Sequence, residues 1–335
     1  MNKNKVNITH VAEAAGVSRS TVSYVLSNKR SISPEVRRKV LEQIEALGYK
    51  PNAVARNLAS KKTHTIGLYC SSDASKNDMF FLKMLNGAMD CLKDAGYKVL
   101  LINEIGENKD YRISIDRSFP IDGAIVTNTR NSEMFLTELQ KENMPFVLIG
   151  KPPKDVSVTH VDNDNVRAAH QAAERFIREN RRNVALVIGS AEEATVYNDY
   201  FCGYRAALQD NGIPYDESYV IRLNKSRKDP IEHALQRLAS LQAEAVIVNA
   251  PISLSAALVN RMLYGSWNNG PIPKMSVFGL DVLADVLHIE HPDIRVIKSN
   301  AYRLGSDAAG LVVEMIERGR GPAANTAKLY TPVME

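Results

Sequence analysis

With 335 residues, the chain is long enough for two or three domains, and its 44% hydrophobic and 24% charged residues are typical of a soluble globular protein. No stretch approaches the roughly 20 apolar residues of a membrane span, and residues 1–5 contain no apolar signal core. We therefore expect neither membrane insertion nor export. Three widely spaced cysteines suggest no disulfide framework and no metal-ligand pair, so the expected location is the cytoplasm.

The formal net charge of +4 is unevenly distributed along the chain. Residues 1–62 hold 12 Lys and Arg against 4 Glu and carry +8, whereas the remaining residues carry −4. A basic segment of this kind indicates a surface that faces phosphate groups, and an ordinary solvated surface is the alternative.

Residues 7–27 predict two short helices joined by a tight turn. In the first helix, four apolar residues recur at helical spacing: Ile8, Val11, Ala12 and Ala15. Gly16 favours the left-handed conformation that ends a helix, and the Ser18 hydroxyl can cap a second helix that begins at Arg19.

The second helix has one apolar and one polar face. Its apolar face consists of Val22, Val25 and Leu26. Four polar residues therefore point outward: Arg19, Ser20, Ser23 and Tyr24. A helix-turn-helix presents its recognition helix to the major groove of DNA in this way. From the hairpin alone, an ordinary pair of helices is an equal alternative.

Ser33 and Pro34 predict the start of a third helix, because the hydroxyl can cap it and proline suits the first helical position. The apolar stripe that follows ends at Gly48 and consists of Val36, Val40, Ile44 and Leu47. Residues 52–59 then form an alanine-rich stretch, and isolated helices below about 12 residues are marginal in water. We expect this segment to become ordered on DNA.

Beyond a polar linker at residues 60–64, short apolar runs alternate with helical patterns. Strands are predicted at residues 66–70, 99–102, 124–126, 146–149, 158–162, 184–188, 245–248, 276–279 and 296–299. Strands that alternate with helices predict an α/β fold with a doubly wound parallel sheet. The pattern restarts at residues 158–162, so we expect two lobes and a ligand cleft at the carboxyl ends of their strands.

A set of positions in register runs through the basic segment: Val11-Ala12, Ala15-Gly16-Val17-Ser18, Thr21-Val22-Ser23, Val25-Leu26, Gly48-Tyr49, Pro51-Asn52-Ala53-Val54-Ala55-Arg56 and Leu58. With these residues, the stretch 6–67 resembles the DNA-binding headpiece and hinge of the lactose/galactose repressor family of bacterial transcription regulators. One departure is His10, where the family usually has an acidic residue. A neutral histidine is expected to hold the start of the first helix less firmly.

Nearly all of residues 63–335 resemble the effector-binding core of that family, which shares the fold of periplasmic sugar-binding proteins. Its landmarks are Asp122-Gly123, Val161-Asp162-Asn163, residues 203–208 with 212–214, and Gly279-Leu280-Asp281. The resemblance implies a helix-turn-helix headpiece at residues 1–50, a hinge helix and linker at 51–63, and an effector-binding and dimerisation core at 64–335. It also implies three crossings between the lobes. We assign the N-lobe to about 64–160 and 293–320, and the C-lobe to about 161–292 and 321–335.

The resemblance also implies roles in DNA binding. Base contacts are expected from Arg19, Ser20 and Tyr24. Backbone contacts are expected from Ser18, Thr21, Ser33, Tyr49 and Asn52. Minor-groove contacts of the hinge are expected from Ala55, Arg56 and Leu58, with Leu58 as a wedge between bases; packing of Leu58 against the core is the alternative. Because one recognition helix reads only a few base pairs, a homodimer on a pseudo-palindromic operator is implied.

Four residues are placed in the effector pocket by the resemblance: Phe80, Asp164, Tyr200 and Asp281. A core position for Phe80 and a helix cap at Asp164 are the alternatives, whereas Asp281 is favoured as a ligand residue. Tyr200 stands where the family usually has an arginine, so an anionic effector would lose a bidentate partner and a neutral sugar is expected. Ser226 and Ala250-Pro251 also depart from the pattern, and an unusual ligand or none is the alternative.

An enzyme and an exported sugar receptor are the competing classes. No Gly-x-Gly-x-x-Gly turn follows a strand, and neither a phosphate-binding Gly-x-x-x-x-Gly-Lys nor a Gly-x-Ser-x-Gly elbow occurs. The histidines show no i, i+4 metal pairing. We therefore expect no catalysis, no metal and no cofactor. A receptor would need a signal segment and has no use for a basic three-helix head.

Overall fold

The structure is a computed structural model of the chain. It describes residues 6–27, 30–49, 62–70, 79–102, 121–127, 133–154, 156–190, 195–224, 227–265, 267, 271–283, 291–319, 326–331 and 333–334. Two compact units are distinguished, Met1–Thr63 and His64–Glu335. We call them the head and the core.

The head contains three helices, α1 (Ile8–Ala15), α2 (Arg19–Ser27) and α3 (Pro34–Ala46). Gly16 ends α1 with a φ of 67°, a left-handed conformation that glycine adopts without steric cost. The three helices close on a small core of buried residues: Val11, Ala12, Ala15, Val22, Val25 and Val40. Leu26, expected on the apolar face, lies in the last turn of α2 and is 37% exposed.

The start of α1 is held by a reciprocal cap. The Asn7 side chain accepts hydrogen bonds from the backbone N–H groups of Thr9 and His10, at 2.9 and 3.2 Å. In return, His10 Nδ1 accepts a hydrogen bond from the Asn7 backbone N–H at 3.3 Å. The histidine therefore completes the cap, in contrast to the weaker start expected from the sequence.

The core contains two sheets. The first sheet comprises β1 (Thr65–Tyr69), β2 (Lys98–Ile102), β3 (Gly123–Thr127), β4 (Phe146–Ile149), β5 (His160–Asn163) and β11 (Ala327–Tyr330). The second sheet comprises β6 (Val184–Gly189), β7 (Val220–Leu223), β8 (Ala245–Asn249), β9 (Lys274–Phe278) and β10 (Ile294–Ile297). The helices are α4 (Met79–Asp94), α5 (Glu133–Lys141), α6 (Asn165–Arg178), α7 (Thr195–Asp210), α8 (Pro230–Ser240), α9 (Ile252–Tyr264) and α10 (Ala301–Glu317).

The strand order is β11-β5-β4-β3-β1-β2 in the first sheet and β10-β9-β8-β6-β7 in the second, and the ladders between these strands are parallel. In each sheet the chain winds first to one side and then to the other. Strands β3, β4 and β6 are buried along their whole length, as expected of parallel strands covered on both faces. The predicted doubly wound parallel fold is confirmed. We call the first sheet with α4, α5 and α10 the N-lobe, and the second sheet with α6 to α9 the C-lobe.

Three strands lie in a different lobe from the one assigned from the sequence. Strand β5 was expected to open the C-lobe, but it pairs with β4 in the N-lobe sheet. Strand β10 pairs with β9 and stays in the C-lobe, whereas α10 does return to the N-lobe. Strand β11 pairs with β5 in the N-lobe, which corrects the C-lobe assignment for residues 327–330. An apolar run marks a strand but does not specify its neighbour, because pairing depends on residues far away in the chain.

Within its described part, the core chain crosses between the lobes at three places. It leaves the N-lobe after β5 to enter α6, and it returns between β10 and α10. It leaves again after β11, where Met334 forms a bridge with Ile297 of the C-lobe. The crossings begin at the carboxyl ends of strands, the sheet edge at which open α/β folds bind ligands.

Helices α4 and α10 of the N-lobe touch backbone to backbone. A Cβ added at Gly87 would overlap the Tyr302 carbonyl oxygen, and a Cβ added at Gly305 would overlap the Met84 carbonyl oxygen. Glycine at both positions is therefore what permits the close contact. The contact joins the first and last helices of the N-lobe.

We expect Gly87→Ala and Gly305→Ala each to lower the free energy of unfolding by about 1 to 3 kcal/mol, because the added methyl group separates two packed helices. Urea denaturation of the full chain measures this loss. Gly310→Ala in α10 is the matched control, since its Cβ would lie 3.8 Å from Cys91 Sγ in ordinary contact. The control should leave stability unchanged or raise it by up to about 1 kcal/mol. Equal stability of the three variants would contradict the close contact.

Candidate DNA-binding surface and inter-lobe site

Ser18 organises the first turn of α2. Its hydroxyl oxygen accepts a hydrogen bond from the Thr21 backbone N–H at 3.1 Å. The same oxygen lies 2.9 Å from the Thr21 hydroxyl and 3.0 Å from the Ser20 hydroxyl. The helix start is thus capped by its own side chains, which fixes the orientation of the residues that follow.

The exposed side of α2 carries the residues predicted to contact bases. Arg19 and Ser20 are exposed in the first turn, and Tyr24 is half-buried one turn later. Ser20 and Tyr24 are four residues apart and share one side of the helix. The Arg30 guanidinium lies 5.1 Å from the centre of the Tyr24 ring, a cation–π contact that restrains the ring. Sequence reasoning missed Arg30, because the contact spans the connection between two helices.

The residues predicted to contact the DNA backbone also have local roles in the head. Ser33 caps α3 by accepting a hydrogen bond from the Val36 backbone N–H at 3.4 Å. Tyr49 packs half-buried against the head core. Ser18 and Thr21 form the cap of α2. Contacts of these four residues with DNA phosphates remain predictions. The predicted residues of the hinge lie outside the described residues: Asn52, Ala55, Arg56 and Leu58.

In the core, the Asp281 carboxylate binds the segment that connects β10 to α10. The Ser299 backbone N–H and hydroxyl both donate to it, each at 2.9 Å. The Asp281 carbonyl oxygen accepts a hydrogen bond from Lys83 Nζ of α4 at 3.1 Å. Both carboxylate oxygens therefore hold a lobe crossing, and the predicted ligand contact would have to share them.

Two asparagines tie the crossings to each other. Asn163 Nδ2 donates to the Ser299 carbonyl oxygen at 2.8 Å, and Asn163 Oδ1 accepts from Asn300 Nδ2 at 2.9 Å. Asn163 and Ser299 are buried. The end of β5 and the start of α10 are therefore fixed relative to each other by side-chain amides.

Asp164 caps a helix and Phe80 packs in the core, which are the alternatives to a ligand contact that the sequence left open. Asp164 caps α6, accepting a hydrogen bond from the Arg167 backbone N–H at 3.0 Å, and its own N–H donates to the Tyr330 carbonyl oxygen at 2.8 Å. Phe80 is partly buried and packs against the N-lobe core. Effector contacts of these two residues remain predictions.

Tyr200 is fully buried in the C-lobe core. Its ring meets the Phe278 ring edge-on, with centroids 5.7 Å apart. Burial raises the pKa of the phenol well above its usual value, and the hydroxyl has no hydrogen-bond partner among the described residues. The ring therefore lies among apolar side chains of the C-lobe core. A role of Tyr200 in effector binding remains a prediction.

A cluster of charged residues that the sequence did not reveal lies between the lobes. Lys151 follows β4 of the N-lobe, and its Nζ lies 2.6 Å from Oδ1 of Asp199 in α7 of the C-lobe. Asp162, near the end of β5, accepts hydrogen bonds from the Asn163 backbone N–H at 2.8 Å and from Asn165 Nδ2 at 3.5 Å. Strands β4 and β5 are parallel neighbours, so their ends share one edge; that adjacency was the available signal.

The Asp162 carboxyl is strongly perturbed by this cluster. Burial raises its pKa to about 7 because the charged form loses hydration, and the negative charge of Asp199 acts in the same direction. The hydrogen bond from Asn163 and the positive charge of Lys151 act in the opposite direction. Near neutral pH the carboxyl therefore exists in both protonation states.

The inter-lobe site contains buried polar groups that can form further hydrogen bonds. Asn249 ends β8 as a buried residue whose Nδ2 has no partner among the described residues, and the same holds for Asn165 Oδ1. Carboxylates, amides and a lysine at strand ends and in the adjacent helices can bind a ligand with many hydroxyl groups. In the part of the chain that the structure describes, no group of three or more His, Cys, Asp or Glu could hold a metal ion. Each helix described there is too short or too polar to cross a bilayer.

A capped recognition helix in a basic head, together with a two-lobed binding core, defines a DNA-binding regulator with a ligand-binding domain. Residues 7–52 match the family of bacterial regulatory proteins called lacI, and residues 63–329 match the family of periplasmic binding proteins and sugar binding domains of the LacI family. The chain belongs to the LacI family of transcription regulators, as the resemblance indicated.

Individual relatives agree with this assignment. Catabolite control protein A of Priestia megaterium is 33% identical over 236 residues, which cover 70% of this chain and 70% of that protein. The HTH-type transcriptional regulator MalR of Staphylococcus xylosus is 31% identical over 237 residues, 68% of this chain and 70% of the relative. The lac repressor dimer bound to operator and the anti-inducer ONPF has the same fold, with a TM-score of 0.78 and 16% identity over 99% of this chain and 98% of that one. These relatives are regulators and not enzymes.

The perturbed Asp162 carboxyl predicts a pH-dependent stability. The folded state keeps the proton up to about pH 7, whereas the unfolded state releases it near pH 4, so this group's contribution to stability is lost as the pH rises between these values. Because Asp162 retains some solvent contact, we expect the wild type to lose about 1 to 2 kcal/mol more than Asp162→Asn between pH 5 and pH 8.

Urea denaturation at both pH values measures this difference. Asp94→Asn, which removes an exposed carboxylate at the end of α4, is the control and should follow the wild type. Parallel pH profiles of the wild type and Asp162→Asn would be inconsistent with the assignment.

Proposed function

We propose that this regulator is a cytoplasmic, nucleoid-associated repressor that binds a pseudo-palindromic operator as a homodimer. A small neutral sugar between the lobes changes its affinity for the operator. The observation that carries the proposal is the capped helix α2, which displays Arg19 on the most basic part of the chain. The two-lobed core supplies the effector site.

Charge and geometry support DNA binding. The net charge of +8 on residues 1–62 favours phosphate contacts, whose contribution to affinity is independent of sequence. Arg19 in the exposed first turn is suited to pair with guanine, the commonest specific contact in the major groove. The hinge contacts of Ala55, Arg56 and Leu58 rest on the family resemblance, and measuring DNA bending by gel phasing with Leu58→Ala tests the wedge.

An exposed apolar surface of the N-lobe supports dimerisation. Leu82 and Met89 are seven residues apart on one side of α4 and are 43% and 48% exposed. Leu101 on the neighbouring edge strand β2 is 46% exposed. A second copy of the chain that covers this surface would bury apolar area and cover β2, the last strand on that side of the described sheet. Two heads on one dimer would read two half-sites.

The inter-lobe site supports a neutral, hydroxyl-rich effector. Asn249 and Asn165 offer an unsatisfied donor and an unsatisfied acceptor, respectively. Lys151, a cation that could attract an anionic group, is already paired with Asp199. A transcriptional regulator CelR solved with cellobiose has the same fold, with a TM-score of 0.67 and 22% identity over 98% of each chain.

A nuclease footprint on the DNA upstream of the gene tests operator binding and should cover two half-sites in inverted order. Arg19→Ala should relax sequence preference at one position of each half-site, with a loss of about 1 to 3 kcal/mol of discrimination. Arg38→Ala is the matched control, because it removes the same charge from an exposed helix position in the head. If Arg19→Ala weakens binding equally to all DNA sequences, Arg19 contacts phosphate rather than a base.

A thermal-shift screen of the full chain tests the effector class. Neutral mono- and disaccharides should raise the melting temperature, since a ligand at 100 times its Kd stabilises the folded state by about 2.7 kcal/mol. The same sugar should change operator affinity in a gel-shift assay, because an effector must bind one arrangement of the protein more tightly than the other. A screen in which only phosphorylated or carboxylated ligands stabilise the chain would contradict the neutral-sugar proposal.

A further inference from the structure

The ion pair of Lys151 and Asp199 joins the two lobes at a point separate from the crossings. Lys151 lies two residues beyond the end of β4, at the carboxyl edge of the N-lobe sheet. Asp199 lies in the first half of α7, which packs on β6 and α6 of the C-lobe. The 2.6 Å separation of Nζ and Oδ1 exists only while the lobes are close together.

The two partners differ in their access to water. The Asp199 side chain is 8% exposed, whereas the Lys151 side chain is 53% exposed. If the lobes moved apart, the attraction between Lys151 and the little-exposed Asp199 carboxylate would be lost. The pair therefore favours the closed arrangement.

Asp162 opposes the closed arrangement when it is ionised. Ile149 of β4 pairs with Val161 of β5, so Lys151 and Asp162 follow at the same edge of the N-lobe sheet. Besides burial, the charge of Asp199 raises the pKa of Asp162 and the charge of Lys151 lowers it. Two neighbouring carboxylates repel each other when both are ionised. The closed arrangement is consequently stabilised by one attraction and weakened by one repulsion.

We propose that the Lys151–Asp199 pair is a latch that holds the lobes closed without a ligand. Lobe closure is then set in part by the chain itself, and an effector that engages either residue must replace the latch rather than add to it. The effect of closure on operator affinity rests on the proposed function, whereas the closure itself does not.

Distance measurements between spin labels on the full chain test the latch. Labels at Met134→Cys in the N-lobe and Tyr264→Cys in the C-lobe use positions that are 64% and 78% exposed. Cys91→Ser and Cys202→Ser remove the partly exposed and the exposed native thiol. The labelled chain is mixed with an excess of unlabelled chain, so that distances within one chain dominate in any dimer.

Without DNA or sugar, the wild type should show a dominant short distance. Lys151→Met keeps the side-chain length but removes the charge, and it should raise the ratio of open to closed populations roughly threefold or more. Asp162→Asn should shift the ratio toward closure, because it removes the repulsion. Exchange of the pair, Lys151→Asp with Asp199→Lys, should restore closure at least in part. Lys154→Met, an exposed lysine in the same loop, is the matched control and should match the wild type.

An unchanged distance distribution in Lys151→Met would overturn the latch. This variant alters a half-exposed side chain, and circular dichroism of each variant verifies that it is folded. Because no DNA and no sugar are present, a failure of the latch leaves the proposed repressor function intact. A missing operator footprint, in turn, leaves the distance result unaffected.

Discussion

The hydrogen bonds of Ser299 tie two of the lobe crossings together. Ser299 is completely buried, and its backbone N–H and hydroxyl donate to Asp281 of the C-lobe. Its carbonyl oxygen accepts from Asn163, where the chain leaves the N-lobe. A buried donor or acceptor that loses its partner costs about 1 to 3 kcal/mol, so these contacts resist separate movement of the crossings.

The predictable part of the fold is the part that depends on neighbours in the chain. Gly16 and Ser18 mark the turn of the head, and Ser33 with Pro34 marks the start of α3, because caps and turns act over a few residues. The partners of β5 and β11 were not predictable in this way. Their pairing joins residues 160–163 to 327–330. The apolar sequence pattern of a strand does not indicate which lobe it belongs to.

The candidate site shows the same difference between local features of the chain and contacts between distant residues. The family resemblance led to Asp164, Tyr200 and Asp281. In the structure the two carboxylates form a helix cap and hold a lobe crossing, and the tyrosine is buried. Lys151 and Asp199 were missed because 48 residues separate them, and neither belongs to a recognisable motif. Their contact forms only when the fold brings the two lobes together.

The backbone contact between α4 and α10 also affects the order in which the protein acquires its structure during synthesis. The partners of Gly87 and Gly305 lie more than two hundred positions away in the chain, and such distant contacts form slowly because a long loop must close first. While the ribosome is still adding residues before 301, the N-lobe lacks the helix that covers α4 and the strand that pairs with β5. The head, whose contacts are local, needs none of them. A nascent chain can therefore carry a folded three-helix head well before its core is complete.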